Sequence, residues 1–129
     1  MRQPSDIYDL TFAKGGATLD HNLDDITSGY AVGIHPGTYA TFQRGPWARY
    51  GIPAAITCIR RQWPWAHIGT WFDGNTIHVD PVTIAYTLSW SLDQARWYDQ
   101  KAIYHLDTGK TIYLDDALGI DQLQQDGAQ

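Results

Sequence analysis

Residues 66–86 constrain the architecture more tightly than any other stretch of this chain. Asp73-Gly74-Asn75 separates two runs, Ala66–Phe72 and Thr76–Tyr86, in which apolar and polar residues alternate. Alternation at period two marks a strand with one buried face, and a Gly-containing reversal between two such runs marks a β-hairpin. A two-residue loop at Asp73-Gly74 or at Gly74-Asn75 sets odd residues of the first strand opposite even residues of the second. Ile68, Phe72, Ile77 and Val79 then share one face, the expected core face. His67, Gly69, Trp71, His78 and Asp80 share the other. Beyond Pro81 the apolar residues Val82, Ile84 and Tyr86 fall in the phase of His78 and Asp80, which predicts a bulge or bend at Asp80-Pro81.

The same patterns predict two more hairpins. Gly29–His35 and Thr38–Gln43 flank the turn pair Pro36-Gly37, and Ala102–Leu106 and Lys110–Leu114 flank Asp107-Thr108-Gly109. Three helices are expected between them. The first is capped by Ser5 and ended by Gly15-Gly16. The second spans about Ile52–Gln62, with Pro53 in its first turn and Arg60-Arg61 at its end. The third begins at a capping box, Ser91-Leu92-Asp93-Gln94, and runs to about Gln100. Its residues Leu92 and Ala95, together with Trp90 and Tyr98, are expected to face the sheet. Asp20–Ser28 is expected to be a loop. The predicted fold is α+β, an antiparallel sheet built from hairpins with two or three short helices packed on one face.

A chain of 129 residues suits one domain. The boundaries expected are residues 1–120 for a single α+β domain and 121–129 for a flexible acidic, Gln-rich tail. All 14 acidic residues are Asp, a poor residue for helix interiors, which favours short helices and many turns. The net charge is −5, and the second half carries most of it: residues 62–129 hold nine Asp against three basic residues. Only Arg44, Arg49, Arg60 and Arg61 offer a local basic patch. No nucleic-acid partner is therefore expected, whereas an acidic half suits a basic protein partner. The chain begins Met1-Arg2-Gln3-Pro4 without an apolar leader and has no apolar run of 18 residues. The expectation is a cytoplasmic location with no membrane partner. Cys58 is the one cysteine and lies in an apolar run, so it is expected to be buried and inert.

Candidate chemistry is sparse. His67, His78 and Asp80 share a predicted face, and two His with one carboxylate could ligate iron or zinc. Asp20-His21-Asn22-Leu23-Asp24-Asp25 resembles the start of a calcium loop, but Asp25 and Ala31 stand where that loop needs Gly and Glu. There is no nucleophile elbow, phosphate-cradling loop or dinucleotide fingerprint. No cofactor is expected, and a non-enzyme is favoured over a metal-dependent enzyme using His67, His78 and Asp80.

The aromatic load is the stronger functional signal. Six Trp and eight Tyr are a rich load for 129 residues, and Trp47, Trp63, Trp65, Trp71, Trp90 and Trp97 cannot all fit one small core. Trp and Tyr with Arg are the residues of interface hot spots. The partner-binding candidates are Trp47, Arg49, Tyr50, Arg60, Arg61, Trp63, Trp65 and Trp71, with a second copy of the chain among the expected partners. A small-ligand binder with an aromatic pocket is a further alternative.

Five segments run in the order Gly15-Gly16-Ala17-Thr18, Ser28-Gly29-Tyr30-Ala31-Val32-Gly33, Gly69-Thr70-Trp71, His78-Val79-Asp80-Pro81-Val82 and Gln100-Lys101-Ala102-Ile103-Tyr104. In this order the chain resembles a group of small uncharacterised proteins from actinobacterial phages and prophages, over about residues 15–114. Each motif is short, and their order carries the resemblance; residues Trp47–Gln62 hold no such motif. The resemblance implies an accessory phage or mobile-element protein acting inside a bacterium. The function expected is a non-catalytic binding protein that engages a host protein and inhibits a host defence or regulatory system.

Overall fold

The structure is a computed structural model and describes residues 2–115. The expected domain end at residue 120 and the tail at 121–129 lie outside the described residues. A 3₁₀ turn at Pro4–Asp6 leads into α1 (Ile7–Lys14), which stops at Gly15. There follow β1 (Gly16–Leu19), β2 (Tyr30–Gly33), β3 (Ala40–Gln43), α2 (Pro46–Gln62), β4 (His67–Asp73), β5 (Thr76–Ala85), α3 (Leu88–Trp97), β6 (Ala102–His105) and β7 (Lys110–Tyr113). The strands form one antiparallel sheet in the order β1-β4-β5-β2-β6-β7, with β3 also paired to β5. The fold is α+β, as the sequence predicts.

The central hairpin, β4–β5, has the predicted register. Asp73 pairs with Thr76, so Gly74-Asn75 forms the turn, and Gly74 adopts a left-handed φ of 61° that a Cβ would disfavour. Trp71 lies opposite His78, and Gly69 opposite Asp80. Ile68, Ile77 and Val79 are buried against Ile52, Ile56 and Ile59 of α2, Ile7 of α1 and Leu19 of β1. Thr70 is the polar intruder on that face. Its hydroxyl meets Thr11 Oγ1 at 2.8 Å, and Thr11 donates to the Ile7 carbonyl at 2.8 Å, so neither buried hydroxyl is orphaned.

A second cluster joins Val32, Ile103 and Leu114 to Leu92 and Ala95 of α3. Val32 pairs with Thr83, which points to the same side of β5 as Val79. All three helices therefore cover one face of the sheet.

Several local expectations are corrected. Gly29–His35 and Thr38–Gln43 do not pair with each other. Both β2 and β3 pair antiparallel with β5, as one neighbouring strand interrupted by residues 34–39, and β2 pairs with β6 on its other side. Those six residues lie against only Asp80 and Pro81. Pro81 causes the break: its carbonyl accepts Ile34 N–H at 3.1 Å, but it has no N–H to return a second bond. The bulge expected in β5 at Asp80-Pro81 is thus displaced onto the partner, and β5 runs unbroken.

Helix α2 starts at Pro46, not near Ile52. Pro46 occupies the first turn, and Ala48, Ile52, Ala55, Ile56 and Ile59 make one continuous buried stripe through Gly51 and Pro53. Gly51 is there for close approach, since a Cβ would lie 2.2 Å from the Phe42 ring of β3. Helix α3 begins one turn before the expected Ser91 box. Thr87 caps it by accepting the Trp90 N–H at 3.1 Å, while Ser91 is buried inside and bonds the Leu88 carbonyl. Leu92 and Ala95 face the sheet as expected, but Trp90 points to solvent. Cys58 is exposed rather than buried, because it falls off the Ile52–Ile56–Ile59 stripe. Strand β1 had no strand signal in the sequence; its Gly16 packs against the Thr70 carbonyl too closely for any side chain.

Candidate functional site

Five of the six tryptophans are on the surface. Trp47, Trp65, Trp71, Trp90 and Trp97 are 45–86% exposed, and only Trp63 packs against the core. The prediction that these rings exceed what one core can hold is met. They do not, however, form the single cluster that their nearness in sequence implied.

Trp47 and Tyr50 lie one turn apart on the outer side of α2, both exposed. Arg49, between them, turns away. Its guanidinium makes two hydrogen bonds to the Asp9 carboxylate, at 2.9 and 3.2 Å, and lies 4.4 Å from the Tyr8 ring centre. Trp63 sits at the far end of α2, about 24 Å along the axis from Trp47. Its ring meets His35 and Tyr39 edge-on, at 6.0 and 5.5 Å between centres. Arg60 donates to the His21 carbonyl at 2.8 Å, Arg61 is exposed, and Trp65 is half-exposed just beyond.

Trp71 lies on the sheet face opposite the helices. It stacks flat on His78, its cross-strand partner, with 3.7 Å between ring centres and 5° between planes. Tyr104 and Tyr113 share this face by register, and both are exposed. The open face of the sheet thus presents aromatic rings above small residues such as Ala31 and Gly69.

The polar groups of this face are committed to the strand break. Asp80 Oδ1 accepts the Tyr39 N–H at 2.6 Å, and His78 Nδ1 shares a 2.9 Å hydrogen bond with the Thr38 hydroxyl. Gln100 donates to the His35 carbonyl at 2.7 Å. Burial pushes the Asp80 carboxyl above the ordinary carboxylate range, against the opposing pull of the Tyr39 N–H and of His78. His67 stands one same-face position along β4 from Gly69, the cross-strand partner of Asp80, is itself paired with Val82, and lies edge-on to His21 at 5.4 Å. Burial lowers its pKa below the ordinary 6.5, so its neutral form is favoured. His67, Asp80 and His78 occupy the predicted face but are strung along it at roughly 7 Å steps. Among the described residues no group of three His, Cys, Asp or Glu is placed to hold a metal ion. Two carboxylates of the Asp20–Asp25 loop are engaged within the chain: Asp20 accepts the N–H groups of Asn22 and Asp24, and Asp25 pairs with Arg2 and Lys14.

The sequence did not single out Trp90 and Trp97. They stand seven residues apart on the outer side of α3, two turns and about 10 Å along the helix. With Asp93, Gln94 and Tyr98 they line a shallow groove of about 340 Å³. The seven-residue spacing was the available signal, but placing the helix start at Ser91 hid it. Among the described residues no helix is long and apolar enough to cross a membrane.

Comparison with protein-family models, with curated proteins and with solved structures found no match.

Proposed function

We propose that this protein is a non-catalytic binding module that engages another protein through its solvent-facing aromatic side chains. The observation that carries this function is the exposure of five tryptophans on a chain whose helices already bury a complete apolar face. Trp and Tyr are enriched among the residues that supply most hot-spot energy at interfaces. The tethering of Asp80, His78 and Arg49 in structural contacts fits a binding role better than a catalytic one. The resemblance to phage proteins extends the proposal to a bacterial host protein as partner, encountered in the cytoplasm. The excess of Asp favours a basic surface on that partner. Inhibition of a host defence or regulatory system is the proposed consequence.

The test is affinity capture from bacterial lysate by the intact protein and by the variant Trp47→Ala/Tyr50→Ala. One host protein retained in near-stoichiometric amount by the first and lost by the second supports the proposal. Retention of nothing above background removes it, and equal retention by both removes Trp47 and Tyr50 as the contact. Sedimentation of the purified chain identifies the alternative in which a second copy covers the surface.

The α3 groove favours a second reading, a small-ligand binder that uses Trp90 and Trp97 as walls. Native mass spectrometry of protein taken directly from the producing cell distinguishes the two, since bound ligand adds mass that Trp97→Ala abolishes.

A further inference from the structure

A cleft of about 160 Å³ opens where the N-terminal 3₁₀ turn, the 20–25 loop and the end of α2 meet. That is about ten times the space one water needs. Its polar lining is Arg2, Gln3, His21, Asn22 and Arg60, and no carboxylate residue contributes to it. In a chain of net charge −5, a cleft lined by two guanidiniums, two amides and an imidazole is set apart electrostatically.

We propose that this cleft binds a phosphate-type oxyanion. Both guanidiniums are held in place before any ligand arrives. Arg2 Nη1 donates to the Leu23 carbonyl at 3.1 Å, and Arg60 Nη2 to the His21 carbonyl at 2.8 Å. Each guanidinium has five N–H donors, so these anchors leave others free for the cleft. Arg60 has no carboxylate partner among the described residues. Arg2 shares the single carboxylate of Asp25 with Lys14, which leaves that trio with a net positive charge. Asp20 of the same loop is engaged by two backbone N–H groups. Pre-positioned guanidinium pairs match the spaced oxygens of a tetrahedral anion, and such charge-assisted bonds are the strong ones.

The experiment is an amide NMR titration of the full chain with inorganic phosphate at fixed pH and ionic strength, with acetate as the carboxylate arm. Saturable shifts at Asn22, Leu23 and Arg60 are expected with phosphate. Arg60→Gln and Arg2→Gln, both in the lining, each weaken binding about tenfold or more. Arg61→Gln, exposed and outside the cleft, leaves it unchanged. Non-saturating shifts, equal response to acetate, or equal weakening by Arg61→Gln overturns the proposal. A dispersed spectrum for each variant separates lost binding from lost fold.

Discussion

Asp80 Oδ1 lies 2.6 Å from the backbone nitrogen of Tyr39, and this hydrogen bond helps to tie back a strand that is interrupted opposite Pro81. Pro81 has no N–H to offer this neighbour, and beside it the Asp80 side chain supplies the acceptor for the Tyr39 N–H. The six residues between β2 and β3 are thereby tied back to the sheet rather than left as a free loop.

Removing that acceptor has a defined cost. Asp80→Ala leaves the Tyr39 N–H without its partner and is expected to cost about 1–3 kcal/mol in denaturant unfolding. Asp80→Asn keeps an acceptor of the same shape and removes the buried charge. The Asp80 carboxyl titrates above its ordinary 3.8 in the folded protein, so between these two values the native state holds more protons than the unfolded one. Its contribution is greatest below pH 3.8 and is lost as pH rises through the folded value. The stability of the wild type relative to Asp80→Asn therefore falls with rising pH across that window. A difference independent of pH contradicts the account.

His67 gives the opposite slope. Its pKa lies below 6.5 in the folded protein, so under acid the unfolded chain takes the proton first. Its share of stability is present above pH 6.5 and is lost as pH falls through the folded value. His67→Gln is expected to flatten this acid-side loss, read from urea midpoints between pH 7 and pH 5.

Gly51→Ala tests the α2–β3 contact. Alanine raises helix propensity by about 1 kcal/mol, but its Cβ would lie 2.2 Å from the Phe42 ring. Overpacking of this kind costs about 1–3 kcal/mol, so net destabilisation is expected. Phe42→Leu in the same chain should recover part of it, a coupling that thermal or urea melts of the four variants can measure.

What the sequence made legible was local. The β4–β5 hairpin could be read because its alternation and its Gly74 turn lie within one short stretch. The exposure of the tryptophans could be read as an excess, but not placed. The β2–β3 break could not be read, because Pro36-Gly37 looks the same in a hairpin turn as in a bulged excursion. The deciding residue, Pro81, sits on another strand. The start of α2 was hidden by Gly51 and Pro53, which ordinarily stop helices. Here Gly51 is required by Phe42, a tertiary contact that overrides local propensity. The oxyanion cleft could not be read either, since Arg2, Asn22 and Arg60 converge only through packing of the N-terminus on α2.

Surface placement predicts that Trp47→Ala and Trp97→Ala change stability by no more than about 0.5 kcal/mol each, while Trp63→Ala costs several times that. Such a split separates binding surface from core without knowledge of the partner.

Acrylamide quenching of tryptophan emission in dilute, monomeric protein tests the solvent-facing aromatic surface most directly. Red-shifted emission with most of its intensity quenched is the predicted result, with a minor protected component that disappears in Trp63→Phe. Blue-shifted emission resistant to quencher would place the indoles inside the fold and remove the basis for a binding surface.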